Sequence, residues 1–125
     1  MYIYIVLQMT PITIKFQKVD QYKNLIFIAK SEMPEEQETF KRLTNFHNTH
    51  KDEITTFLPI YATPIYATLR CKPNPKFQHE EGAIYTLDLS IRKKKHEEKN
   101  YIHIYINKST LVKKSNLDLG ELIEF

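Results

Sequence analysis

The sequence of 125 residues has one cysteine, two glycines and no tryptophan. A single thiol, Cys71, excludes an internal disulfide and a two-cysteine zinc half-site. Gly82 and Gly120 are too few for the glycine-rich loops with which dinucleotide-binding and P-loop proteins hold phosphate. No stretch approaches the roughly 20 consecutive apolar residues of a membrane helix. These absences exclude secreted disulfide scaffolds, zinc fingers, P-loop enzymes and helical membrane proteins.

The length and composition predict one folded domain covering residues 1–125. The hydrophobic fraction of 42% is sufficient for a core without disulfides or metals. Residues 1–9 are apolar but carry no basic segment and no small-residue cleavage site, so they predict a strand rather than a signal peptide. We therefore expect an intracellular protein, in a cytoplasm or a host cell, that is neither secreted nor membrane-bound and needs no cofactor.

Charge is segregated along the chain, although the net charge is only +3. Residues 1–31 carry +3 and residues 32–59 carry −3. Residues 60–114 carry +6, and residues 115–125 carry −3. A surface built only for solubility mixes the two signs more evenly, so this pattern points to a cationic binding surface formed by residues 60–114.

The first third of the chain predicts strands at 2–7, 12–19 and 24–30, with a turn at Thr10-Pro11 between the first two. A helix is predicted over about residues 34–58. It begins with Pro34, which is favourable in a first turn because that position needs no amide hydrogen. Its apolar periodicity weakens over residues 47–51, where the helix is expected to break.

Strict alternation of apolar and polar residues follows, at 65–72, 84–92 and 101–106. This period of two predicts half-buried strands, each with one apolar face. A charged loop is expected over residues 93–100, and a further strand at 110–114. The whole pattern predicts a mainly β (β-rich α+β) fold, an antiparallel sheet with one packing helix.

The polar faces of the last three strands interleave aromatic rings with cations. Bases of single-stranded nucleic acid stack on such rings while cations neutralise phosphates, and this recognition tolerates any base. The alternative is that the tyrosines are ordinary strand formers and the lysines keep the protein soluble. The predicted nucleic-acid-binding residues are Tyr66, Arg70, Lys72, Lys76, Phe77, Arg92, Lys93, Lys94, Lys95, Tyr101, His103 and Tyr105.

A partial family resemblance supports the same interpretation. The segments Tyr66–Phe77 and Glu81–Ile91, with a strand, a Lys-Pro turn and a Gly-x-Tyr-x-x-Asp-Leu-x-Ile run, resemble the single-stranded DNA-binding proteins of short-tailed coliphages. The C-terminal segment Asp118–Phe125 is similar to the acidic tail, closed by phenylalanine, of those proteins. The resemblance implies an OB-like barrel. It also implies that Phe125 binds replication proteins.

Three arrangements that could carry catalysis or a metal were considered and are not favoured. His47 and His50 have helical spacing for one metal, but no third ligand follows from the sequence. Tyr101-Ile102-His103-Ile104-Tyr105 is similar to the metal-binding strand of rolling-circle nucleases, with tyrosine in place of the second histidine. Asp88 with Glu97-Glu98-Lys99 has the residue types of a restriction-type nuclease core, but the latter group falls in the charged loop. We therefore predict no catalytic residue and no metal site.

The sequence predicts a non-enzymatic protein that binds single-stranded DNA without sequence preference, in viral or plasmid replication. RNA as the ligand and a homodimeric state stay open. The alternative is a small virus-type interaction module that acts on a host protein through a sheet edge or the helix. Residues 115–125 are either a free acidic and apolar tail or a last element packed on the core.

Overall fold

The computed structural model describes residues 3–52, 58–97 and 99–115. They form a mainly β fold, in which a six-stranded antiparallel sheet curls into a half-barrel beside one helix of 17 residues. The strands are β1 (Ile3–Val19), β2 (Leu25–Lys30), β3 (Ile60–Ala62), β4 (Tyr66–Cys71), β5 (Ile84–His96) and β6 (Lys99–Lys113). The predicted fold class is thereby confirmed.

The strand order in the sheet is β3-β4-β2-β1-β5-β6. The long strand β1 pairs with β5 along its first part and with β2 along its last part, so the sheet turns about β1. At the open side the end of β4 reaches β6, where the Lys72 amide donates to the Ile104 carbonyl at 2.8 Å. The Asn74 side chain donates to the Ile106 carbonyl at 3.0 Å. These two bonds partly close the curl.

The core lies on the inner face of this curled sheet. Alternate residues of β5 and β6 are buried there, as the period of two predicts. The helix covers the inner face through Leu43, which is fully buried, and through the partly buried Phe40 and Phe46. The strand residues of the core include Ile12, Ile14, Phe16, Phe27, Ala29, Ala67, Leu69, Cys71, Tyr85, Leu87, Leu89, Ile91, Ile102, Ile104 and Ile106.

The helix begins with a 3-10 turn at Pro34–Glu36 and continues as α1 (Gln37–His50). The predicted start at Pro34 is confirmed. The helix ends at His50, within the interval where a break was expected, and Leu58 lies outside it. Residues 53–57, inside the predicted range of 34–58, lie outside the described residues. No helix in the described part of the chain is long and apolar enough to span a membrane.

Side-chain hydrogen bonds to backbone groups fasten the helix to the sheet. The Thr39 hydroxyl donates to the Thr13 carbonyl at 2.7 Å. The buried carboxylate of Glu36 accepts a hydrogen bond from the Lys30 amide at 3.0 Å. These two bonds join the helical segment to β1 and β2, so polar contacts as well as apolar packing specify the helix position.

Two predicted breaks in the strands are wrong. Thr10-Pro11 does not end the first strand, because β1 passes through it with an irregular register between Met9 and Ile12. Proline is tolerated at a bulge, where one residue is left out of the hydrogen-bond ladder. The predicted loop at 93–100 is also strand, because β5 runs to His96 and β6 starts at Lys99.

The ends of the last two strands also differ from the prediction. The predicted strand at 110–114 is the end of β6, which continues without interruption to Lys113. Lysine-rich segments have low strand propensity, but pairing with β1 on one side and β6 on the other holds this one in β5. The strands predicted at 24–30, 65–72, 84–92 and 101–106 are confirmed.

Candidate nucleic-acid interface

The outer face of the β5–β6 hairpin carries five of the predicted binding residues in one cross-strand array. Arg92 and Lys94 of β5 stand opposite His103 and Tyr101 of β6, and Tyr105 follows at the next outward position. All five side chains are half-buried. Neighbouring outward positions on antiparallel strands lie within contact distance, so the alternation of the two strands assembles this array directly.

Cations and rings are in contact within this array. The guanidinium carbon of Arg92 lies 4.3 Å from the ring centroid of Tyr105, and Lys94 Nζ lies 5.7 Å from that of Tyr101. Both distances are within the range of cation–π attraction. Arg92 Nε is buried and has no hydrogen-bond partner among the described residues, so the ring contact orients this guanidinium. Each ring therefore has a positive charge beside it. A surface that binds a base and its phosphate requires both, the ring for the base and the charge for the phosphate.

A groove of about 600 Å³ lies beside the array, at the place where the end of β4 reaches β6. Arg70 of β4 and Lys72, which directly follows β4, line one side of it, and Tyr101 and His103 line it from β6. Its third wall is the turn between β1 and β2. The remaining lining residues are Asp20, Gln21, Tyr22, Asn24, Pro59, Ile102 and Ile104.

The groove is positively charged. Burial lowers the pKa of His103, and the nearby charges of Lys72, Lys94 and Arg70 lower it further. His103 is therefore neutral at neutral pH, and the charged side chains in the lining are Arg70, Lys72 and Asp20.

Asp20 is the acidic side chain that lines the groove. Burial by itself raises the pKa of Asp20, but hydrogen bonds from the Asn24 and Tyr22 amides and from the Asn24 side chain, together with the charge of Arg70, lower it overall. Asp20 is thus ionised at neutral pH, and its carboxylate is engaged in the turn.

The remaining predicted residues do not join the groove. Lys93 and Lys95 point to the opposite side of β5 from Arg92 and Lys94, because side chains alternate along a strand. Tyr66 is exposed on the same face of β4 as Arg70 but about 13 Å further along the strand.

The loop after β4 holds two more predicted residues. Lys76 is exposed there, and its amide donates to the Asn74 side chain at 3.0 Å. The Phe77 side chain packs against the hydrophobic core and is partly buried, so its ring is held by the core and not presented as a free stacking surface. Phe125 lies outside the described residues.

The turn from Asp20 to Asn24 was missed as part of the site. Its sequence signals a tight turn with a tyrosine at the tip, and this signal is local. Nothing in it indicates that the turn lies beside β6, which is distant in sequence. Only the curl of the sheet brings Tyr22 to the groove.

The residues considered for metal or nuclease chemistry are placed differently. Within the described residues no three His, Cys, Asp or Glu side chains converge to hold a metal ion. His47 Nδ1 lies 3.2 Å from the Ile60 carbonyl, and the His50 ring packs against that of Phe46 at 4.3 Å between centroids, tilted by 43°. Asp88 lies in β5 and Glu97 in the turn after it, which at the rise of a strand places them about 30 Å apart. They do not form a carboxylate pair.

No protein-family model, no curated protein and no solved structure matches this chain. The resemblance to phage single-stranded DNA-binding proteins therefore stays a prediction that rests on the residues quoted for it. The function has to be argued from the groove and the array beside it.

Proposed function

We propose that this protein binds single-stranded DNA without sequence preference, that it has no enzymatic activity, and that it serves viral or plasmid DNA replication. The observation that carries the proposal is the array of rings and cations beside the groove. Stacking of one base on an aromatic side chain contributes about 1–3 kcal/mol, whichever base it is. Tyr101 and Tyr105 supply the rings, while Arg70, Lys72, Arg92 and Lys94 supply cations for the phosphates.

The connectivity of the five longer strands also supports this function. β1, β2 and β4 are successive neighbours, β5 joins the far side of β1, and β6 reaches back to the end of β4. A partly open barrel of five strands is the architecture of OB folds, which bind oligonucleotides with the face of their second and third strands and with the loops that follow their first and fourth strands. The turn that follows β1 lines the groove. The short strand β3 is an addition at the edge.

Electrostatics makes the proposal testable with a fluorescently labelled oligonucleotide of about 30 nucleotides, longer than the roughly 4–16 that one OB fold covers. Fluorescence polarisation should show tighter binding to the single strand than to the duplex. The affinity should fall steeply with salt, because each phosphate contact on a single strand contributes about −0.7 to the slope of log K against log salt. Absence of binding at low salt, or a flat salt dependence, would contradict the proposal. An RNA of the same sequence distinguishes the two nucleic acids.

Neighbouring lysines provide a matched pair of variants. Lys94→Ala removes a charge beside the Tyr101 ring, and Lys93→Ala removes the same charge from the other side of the same strand. We expect Lys94→Ala to reduce the salt slope by about 0.7 and Lys93→Ala to change it less. Equal effects would show that only net charge matters and that the array is not the contact surface.

The rings are tested separately from the charges. Tyr101→Ala and Tyr105→Ala should each weaken binding by about 1–3 kcal/mol and leave the salt slope nearly unchanged. Tyr61→Ala is the control, because Tyr61 is an exposed tyrosine that lies on β3, beside His47. Normal binding by folded Tyr101 and Tyr105 variants would place the interface elsewhere.

A second candidate function, an interaction module that acts on a host protein, is favoured by apolar side chains exposed near the edge strands. Ile65 is 65% exposed next to the β3–β4 edge, and Val112 is 57% exposed near the end of β6. Backbone groups at a sheet edge can pair with a strand of another protein. This candidate would take precedence if the oligonucleotide experiment shows no binding.

A further inference from the structure

The turn between β1 and β2 brings a tyrosine into the lining of the groove. Tyr22 lines the groove together with Tyr101 and is 71% exposed, more than the other large hydrophobic side chains of the described residues. Because the side chain is this exposed, its ring is accessible to a base of a bound strand. Its neighbours in the groove are Arg70, Lys72 and His103.

The turn is rigid for its length. Asp20 Oδ1 accepts hydrogen bonds from the amides of Tyr22 at 2.8 Å and Asn24 at 2.9 Å, and Asp20 Oδ2 accepts one from Asn24 Nδ2 at 3.3 Å. Two backbone hydrogen bonds between Asp20 and residues 23 and 24 close the turn. Lys23 adopts a left-handed conformation with φ of 67°. Because the backbone of Tyr22 is already ordered, a ligand that stacks on its ring loses little further entropy.

We propose that Tyr22 stacks on a base of the bound strand at the wall that the turn forms, and that Asp20 both positions Tyr22 and limits the positive charge of the groove. The inference rests on the proposed function and adds a second aromatic wall to the site. Arg70 and Lys72 line the same groove and are placed to take the adjacent phosphate. The carboxylate of Asp20 repels that phosphate, which restrains affinity and allows the strand to be released.

The two roles of Asp20 are separable by substitution. Asp20→Asn retains an acceptor oxygen for the amides of Tyr22 and Asn24 but removes the negative charge, so we expect tighter binding. Asp20→Ala removes the charge and the acceptor together, so the turn loosens and binding should be weaker than in Asp20→Asn. If Asp20 only stabilised the fold, Asp20→Asn would not tighten binding.

The base contact is tested with a labelled oligothymidylate and with an abasic strand of equal length, by polarisation at low salt. Tyr22→Ala should weaken binding to oligothymidylate by roughly fivefold to 150-fold, and Tyr22→Phe should bind normally because the stacking face is kept. On the abasic strand, Tyr22→Ala and the wild type should bind equally. Tyr61→Ala is again the control for loss of an exposed tyrosine, and thermal unfolding checks that every variant is folded.

Each outcome decides between the two proposals. If the wild type binds neither strand, the proposed function and this inference are both overturned. If the wild type binds oligothymidylate and Tyr101→Ala weakens it while Tyr22→Ala does not, only the inference is overturned. A defect of Tyr22→Ala that is equally large on the abasic strand would also overturn it, because the ring would then act on the backbone or on the fold.

Discussion

His79 should make the stability of the fold depend on pH. Its ring lies among those of Phe16, Phe27 and Tyr85, with centroid distances of 5.5, 5.4 and 4.6 Å. Nε2 is 2.9 Å from the Ser109 hydroxyl, whereas Nδ1 is buried without a partner among the described residues. Burial lowers the pKa of His79, since a charged imidazolium would have to be desolvated among these rings.

The sign of the effect follows from proton linkage. In the unfolded chain His79 has a pKa of about 6.5. As the pH falls from that value toward the lower pKa of the folded state, the unfolded chain binds a proton and the folded chain does not, so stability decreases. One group contributes a slope of at most about 1.4 kcal/mol per pH unit. The stability that comes from a neutral His79 is fully present above the unfolded pKa.

His79→Phe isolates this contribution, because it keeps a ring in the cluster and removes the proton site. The variant loses the hydrogen bond to Ser109, worth about 1 kcal/mol, but no longer buries an unpartnered nitrogen, which has a comparable cost. We therefore expect similar unfolding free energies for the two proteins near neutral pH. As the pH falls below about 6.5, the unfolding free energy of the variant should rise relative to that of the wild type.

Urea unfolding between about pH 5 and pH 8, the range in which histidine titrates, measures this difference. His103 contributes to the pH dependence with the same sign in both proteins, so it cancels in the comparison. Two stability curves that run parallel over the whole range would refute the reasoning. They would show that the cluster admits water or relaxes around a charged ring.

Three further predictions concern single residues. Gly82→Ala should destabilise the fold by about 1–2 kcal/mol or more, because Gly82 has φ of 84° and an added Cβ would lie 2.7 Å from Ser115 Oγ. Denaturant unfolding measures this loss, and adding Ser115→Ala should restore part of the lost stability. Cys71 is fully buried and its thiol pKa is raised by burial, so iodoacetamide should modify it only after denaturation. Affinity for single-stranded DNA should rise as the pH falls, because a bound phosphate favours protonated His103, and titrations of His103→Gln should show a weaker pH dependence.

The elements of this protein were largely predictable because their patterns are local. The alternation in 84–92 and 101–106 depends only on which residues face water, and β5 and β6 carry it into the structure unchanged. Pro34 marks the start of the helix through its own backbone geometry. The outward positions of Arg92, Tyr101, His103 and Tyr105 follow from the same period of two.

The features that the sequence mispredicted depend on contacts between distant segments, above all on hydrogen bonds between strands. The lysines at 93–95 look like a loop when taken alone, yet pairing with β6 extends β5 through them and sends Lys93 and Lys94 to different sides. Thr10-Pro11 looks like a turn, yet pairing on either side of it keeps β1 continuous. Phe77 looks like an exposed ring on a loop, yet the loop folds its side chain onto the core.

The sequence by itself determined the fold class, the helix start and the strand faces, since each depends on the order of apolar and polar residues over a few positions. The groove was decided by the tertiary structure alone. It exists because the sheet curls about β1 until the end of β4 reaches β6, which also brings the turn at residues 20–24 to the side of Tyr101. Strand order and curl depend on contacts between residues far apart in the chain, and no local pattern encodes them.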